Sequence, residues 1–180
     1  MKKNKRILVI GNFGYLTNDL NGQTIKTRSI YNLISDNLIS DTELLFFDTA
    51  EIYFNKFIFF DLLLKIFNCN KVVYIPALKS FSYFFPFLFL FSKIFSFKII
   101  HIPVGGRHNE FLKKRKLHRY LLSKIQLNAP QTKKEVLHLK NNFKFKNTIY
   151  FPNFRIHNFK ANVKLNESSF FKICFLKCEI

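Results

Sequence analysis

The sequence predicts an α/β domain built on an open parallel sheet with helices on both faces. Three observations carry that prediction. Short apolar runs alternate with longer amphipathic stretches along residues 6–151. The runs are apolar at successive positions rather than at every second one, as strands covered on both faces must be. Most of them end on glycine or proline, which stops a strand and leaves a loop at its carboxyl end.

Residues 6–10 (RILVI) form the first buried strand, closed by Gly11. Asn21 and Gly22 carry turn chemistry, and Ile25, Ile30, Leu33, Ile34 and Leu38 then roughly keep helical spacing. A second strand is expected at residues 44–47 and a helix at 54–67, then a third strand at 71–75 (KVVYI) closed by Pro76. A very apolar helix follows at 81–97, and a fourth strand at 98–104 (KIIHIPV) stops at Gly105 and Gly106. Residues 107–126 read as one basic helix, 132–140 as a short helix, and 148–151 (TIYF) as a last strand ended by Pro152.

Composition excludes several classes. With 180 residues, 48% hydrophobic and 22% charged, the chain is long and apolar enough for a real core and is not intrinsically disordered. Abundant Phe (25 residues), Ile, Lys and Asn also fits AT-rich codons, so neither the Phe nor the Lys count alone points to function. Cys69, Cys174 and Cys178 are too few for a disulfide scaffold and read as free thiols in a reducing compartment. The last two lack a second ligand pair, so no metal site is expected. Behind the charged MKKNKR start the apolar run spans only residues 7–10, too short for a secretory signal. The 13 uncharged residues between Lys79 and Lys93 include Pro86 and fall short of the about 20 that a membrane span needs. An interfacial segment and a buried helix both remain open.

Charge is uneven. Residues 1–92 hold 10 basic and 7 acidic side chains, and residues 93–180 hold 19 and 4, within a total of +18. Such asymmetry suits an anionic membrane, phosphate-bearing substrates or nucleic acid. In residues 107–126, Leu117, Tyr120, Leu121 and Ile125 can share one face while Lys113, Lys114, Arg115, Lys116, Arg119 and Lys124 crowd the rest. That pattern fits an anionic lipid surface or a solvated outer helix. Nucleic acid is not expected, because the aromatic residues lie in apolar runs and do not interleave with the basic ones.

Open parallel sheets bind ligands beyond the carboxyl ends of their strands. Three loops qualify: residues 11–22, 105–107 and 152–155. The first lacks both the G-x-G-x-x-G and the G-K-[ST] patterns. Its Asn21, Gly22, Gln23 and Thr24 enter a helix, where backbone N–H groups and the helix dipole can hold a phosphate, or simply make an ordinary helix start. In the second, Gly105 and Gly106 permit close approach and Arg107 can fork onto a phosphate or carboxylate, or cover a surface turn. No acid–base or nucleophile constellation stands out. His101, inside a strand, reads as a core residue, and His108 beside the second loop is the weak catalytic candidate.

These segments, in order, resemble the N-terminal half of a GT-B glycosyltransferase of the family-4-like kind that builds bacterial surface polysaccharides. The resemblance is carried by RILVIGNFG and NGQTIKTR, KVVYIPALKS, KIIHIPVGGRHNEFLKK, QTKKEVLHLK and TIYFPNFR, together covering residues 6–155. It implies a Rossmann-like acceptor-binding domain over residues 1–155, with residues 156–180 forming an interdomain linker and, in FKICFLKCEI, the first strand of a donor domain that is not present. By the same resemblance Asn21, Gly22, Gln23 and Thr24 face the donor phosphates, while Gly105, Gly106 and Arg107 face the acceptor. Pro152, Asn153 and Arg155 form the hinge. The expected substrates are a nucleotide sugar and a glycan or lipid-linked acceptor, with no bound metal or cofactor. The expected location is the cytoplasmic face of the plasma membrane. Relatives often carry a histidine at the end of the fourth strand, where this chain has Val104, so no catalytic histidine is carried over.

Overall fold

A computed structural model describes residues 5–18 and 20–153 of the chain. The elements run β1 (Lys5–Gly11), α1 (Gly22–Asp36), β2 (Thr42–Asp48), a 3-10 turn (Glu51–Tyr53), α2 (Ile58–Phe67), β3 (Lys71–Ile75), α3 (Leu78–Ile94), β4 (Lys98–His101), α4 (His108–Lys114), α5 (Lys116–Ser123), β5 (Leu127–Asn128) and α6 (Lys133–Phe143). Every strand pairing is parallel, in the order β2-β1-β3-β4-β5. This is the Rossmann-like open α/β sheet that the alternating runs predict. From β1 the chain moves outward to β2 and then returns to β3 on the other side, so the order reverses between β1 and β3.

Successive residues of β1 and β3 enter opposite cores. Leu8, Ile10, Val72 and Tyr74 join Leu62 and Ile66 of α2 and Phe81, Phe85 and Leu88 of α3. Leu112 of α4 and Leu121 and Leu122 of α5 extend that layer. Val9, Val73 and Ile75 face the other way, onto Ile30 of α1. At Gly11 an added Cβ would stand 2.9 Å from the Thr27 methyl group, so the strand needs glycine to let α1 pack closely.

Five elements depart from the sequence reading, the first being the fourth strand, expected at 98–104, which ends at His101. The helix expected at 54–67 starts only at Ile58, because the Asn55 side chain accepts the Phe57 N–H (2.9 Å) and holds a turn ahead of it. The apolar helix sits three residues earlier than expected, at Leu78–Ile94, since Ser96 turns left-handed (φ 59) and Phe97 is buried at the entry to β4. The basic helix is broken at Arg115 (φ −120, ψ 85). His108 and Leu112 are buried before the break and His118, Leu121 and Leu122 after it. At 100° per residue these two sets fall out of phase, and a straight helix would turn Arg115 and Lys116 into the core.

Lastly, TIYF is not a strand. Thr148 bridges to Asn128, and the Ile149 and Phe151 N–H groups donate to the Asn128 and Pro130 carbonyls (2.9 and 3.0 Å), but no regular strand forms there, and the fifth strand is the two-residue β5 just ahead of α6. The expected linker, the FKICFLKCEI strand, Arg155, Cys174 and Cys178 lie outside the described residues.

Candidate functional site

The carboxyl end of β1 is fixed by a charged staple. Asp48, closing β2, accepts the Phe13 N–H (3.0 Å) and Ala50 N–H (2.9 Å) on one oxygen and the Tyr15 N–H (3.2 Å) on the other. Arg28 of α1 donates to the Phe13 and Gly14 carbonyls (2.7 and 3.0 Å) and lies over the Tyr15 ring. Gly14 takes φ 61, a conformation suited to glycine. The long first loop is thereby folded back over the sheet, and a cleft opens beside it.

That cleft, about 400 Å³, lies between the loop after β1, the end of β2 and the first turns of α3. Its polar wall consists of Asn12, Gln23, Thr49, Lys79 and Ser80, and its apolar wall includes Phe47, Ile52, Tyr83 and Phe84. It sits where the strand order reverses, the place such sheets use for ligands. Among the described residues of the lining, Lys79 is the charged side chain. Ala77 caps α3 with no side-chain hydrogen bond, so the first-turn N–H groups of this 17-residue helix add their partial positive charge. Asn12 Oδ1 is buried without a protein donor. The cleft therefore offers N–H and ammonium donors to an anion or carbonyl.

Of the first-loop residues, Gln23 lines this cleft, but the α1 N-terminus is already capped. Asn21 Oδ1 accepts the N–H groups of Gln23 and Thr24 (both 3.0 Å), and the Thr24 hydroxyl donates to the Asn21 carbonyl (2.9 Å). An anion at Asn21, Gly22 and Thr24 would have to displace that cap. In the cleft lining the uncapped donors are those of α3, although α2, α4 and α5 also begin without a side-chain cap.

Gly105, Gly106 and Arg107 lie on the next loop along, after β4. Gly105 has φ 93 and requires glycine, and added Cβ atoms at Gly22, Gly105 and Gly106 would all meet open space. This loop is tied to α1 through a buried polar cluster absent from the sequence reading. Lys26 Nζ (3.3 Å) and Gln131 Nε2 (2.6 Å) both donate to the Pro103 carbonyl. Burial pushes the Lys26 amine down to about 8, against the raising pull of Glu135, whose own carboxyl burial moves up. Mid-helix Lys26 had only its two-residue spacing from Thr24 to mark it. Pro152 and Asn153 are exposed at the same end of the sheet.

His108 is a packing residue. It is 5% exposed, 4.9 Å from the Phe81 ring and 5.0 Å from His101, and burial followed by the neighbouring His118 lowers its pKa to about 3. His101 is buried as the sequence predicts, its pKa also lowered by burial. Lys113, Lys114, Arg115 and Lys116 are exposed, while Arg119 is half-buried over the Phe143 ring. The shared apolar face expected of this segment divides, with Leu121 and Ile125 in the core and Leu117 and Tyr120 outside it. A second hollow, about 560 Å³, lies at the amino ends of the strands, lined by Lys5, Arg6, Leu33, Ile39 and Lys71. Among the described residues no cluster of His, Cys, Asp and Glu could hold a metal, and no helix is long and apolar enough to cross a membrane. Comparison with family models, curated proteins and solved structures gives no match to this chain, so its own residues bear the functional argument.

Proposed function

We propose that this chain is the acceptor-binding half of a glycosyltransferase that moves a sugar from a nucleotide-sugar donor to a polysaccharide or lipid-linked acceptor. Its place would be the cytoplasmic face of the plasma membrane. The observation that carries the reading is the cleft between the ends of β1, β2 and β3, where Lys79 and the uncapped α3 N-terminus face Asn12 and Gln23. Donors for a phosphate beside amide groups for sugar hydroxyls suit a phosphate-linked sugar, and the resemblance over residues 6–155 points the same way. The apolar wall of Ile52, Tyr83 and Phe84 suits the flat face of a sugar ring or the start of a prenyl chain. No residue is assigned as catalytic acid or base.

The test is a titration with a water-soluble prenyl-diphosphate-linked hexosamine, followed by backbone amide chemical shifts. Shifts centred on Asn12, Gln23, Lys79 and Ser80, reaching Gly105 and Gly106, are expected. Shifts centred on the amino-end hollow, or none at all, contradict the reading. A second reading, a non-enzymatic basic membrane-surface module that pairs with a separate donor-binding subunit, is favoured by the apolar outer faces of α2 and α3. Vesicle binding without any sugar-ligand shifts would select it.

A further inference from the structure

Helix α5 turns one side into the core and another onto a groove. His118, Leu121 and Leu122 are buried, while Lys116, Arg119, Tyr120 and Ser123 follow one another at i, i+3, i+4 and i+7 along the groove. The far wall is the end of α6. Lys144 there takes a left-handed conformation (φ 57), and the Phe145 N–H reaches back to the Leu139 carbonyl (3.1 Å). That turn carries Asn142 and Phe143 against α5, with the Arg119 guanidinium 5.0 Å over the Phe143 ring. The hollow between the two walls measures about 440 Å³ and is mostly polar.

Among the described residues that line this groove none is acidic. Residues 107–146, which contain α4, α5 and α6, hold twelve Lys and Arg against two Glu, and one of those two, Glu135, is buried. The ion pairs among the described residues, Arg6–Glu43 and Lys65–Asp61, lie elsewhere. Uncompensated charge of this density attracts an anionic partner. The concave shape suits a chain, since a flat bilayer surface does not enter a groove. Single-stranded nucleic acid needs successive free ring faces to stack on. Tyr120, 61% exposed, offers one, but Phe143 is enclosed by Arg119, His138 (5.0 Å) and Phe145 (6.0 Å).

We propose that the α5–α6 groove binds an acidic polysaccharide, with carboxylates on Lys116 and Arg119 and sugar hydroxyls on Ser123 and Asn142. An arginine fork pairs with a carboxylate through two parallel hydrogen bonds, and a lysine adds a second point charge. The Tyr120 side chain, apolar on its ring face and polar at its tip, suits the side of a sugar that carries C–H groups. The groove shares no lining residue with the cleft at β1, β2 and β3, so it holds a stretch of polymer away from that cleft. That the polymer is a glycan rests on the proposed function, whereas its negative charge follows from the groove itself.

The chain has no tryptophan, so Tyr120→Trp places a single reporter in the groove. Oligogalacturonate at physiological salt should change its emission saturably, and uncharged maltohexaose should not. Phe60→Trp on α2 should respond to neither. Adding Lys116→Glu puts an acid in the first turn of α5, where it favours the helix dipole, so the fold should hold while affinity falls about tenfold. If that variant fails to fold, Lys116→Gln carries the same test. Affinity unchanged by the Lys116 substitution would overturn the proposal, as would a silent Tyr120→Trp or an equal response to maltohexaose. Tighter binding of polyglutamate or of a thymidine dodecamer would overturn it in favour of an acidic peptide or a nucleic acid. A response lost with Lys79→Glu but kept with Lys116→Glu would move the ligand to the cleft, overturning the groove while the proposed function stands.

Discussion

Pro86 has no N–H to give, so within α3 the carbonyl of Ser82 loses its intrahelical donor. His118 of α5 takes that place, its Nε2 lying 3.0 Å from the Ser82 oxygen, which fixes the ring proton on that nitrogen. A proline inside the apolar helix thus becomes the anchor for a neighbouring helix. His118→Ala should cost about 1–2 kcal/mol in urea unfolding. In a Pro86→Ala background, where residue 86 can donate to Ser82 again, the cost should shrink. Equal costs in the two backgrounds would mean that the histidine acts only through packing. Lys26 gives a second test at this scale. Its amine is lowered to about 8 in the folded chain from an ordinary 10.5, so between those values the unfolded chain holds the extra proton and rising pH adds stability. Cys69, raised to about 11 from 9, acts in the opposite sense above pH 9. Unfolding free energy should therefore rise from about pH 8 to 9, and the rise should be missing in Lys26→Met.

Elements were legible where one signal dominated. KVVYI reads as a strand because five apolar or β-compatible residues end in a proline, and β3 spans those five. The basic segment was read as one helix because its charges masked the phase change between Leu112 and His118, which alone marks the break at Arg115. β5 is two residues long, with no periodicity to read, and is held by contacts distant in sequence. Asn128 and Asn147 donate to the Leu122 carbonyl (3.0 Å each), ending α5 and turning the chain into the sheet. The cleft was half legible. A strand-terminal glycine and a helix start mark Gln23, but Lys79 matters through an uncapped helix end that only the fold reveals.

The histidines gathered by β4, α4 and α5 give this layer a pH dependence. His101, His108 and His118 surround Phe81, all with lowered pKa values, and Lys26 and Arg115 add positive charge nearby. An unfolded histidine binds its proton near pH 6.5 while His108 stays neutral down to about 3, so acid favours unfolding across that window. The urea midpoint should fall from pH 7 to pH 5, and fall less in His108→Leu. An identical fall would show that His108 does not contribute.

At the scale of the molecule, two surfaces meet along one helix. Lys79 and Tyr83 line the cleft, and both also lie on the outward stripe of α3. What the sequence could not convey is which side of each Phe-rich helix is buried, because both sides share one composition.

The central claim is that the cleft at the ends of β1, β2 and β3 binds a phosphate-linked sugar, and Lys79→Glu tests it most directly. A glutamate in the first turn of α3 favours the helix dipole, so the fold should be kept or strengthened while the Lys79 cation in the cleft is replaced by an anion. Calorimetric titration with the soluble prenyl-diphosphate-linked hexosamine should show affinity lower by about tenfold or more in the variant, with the unfolding midpoint unchanged or raised. Equal affinity in the variant and the parent chain would contradict the account and move the ligand away from this cleft.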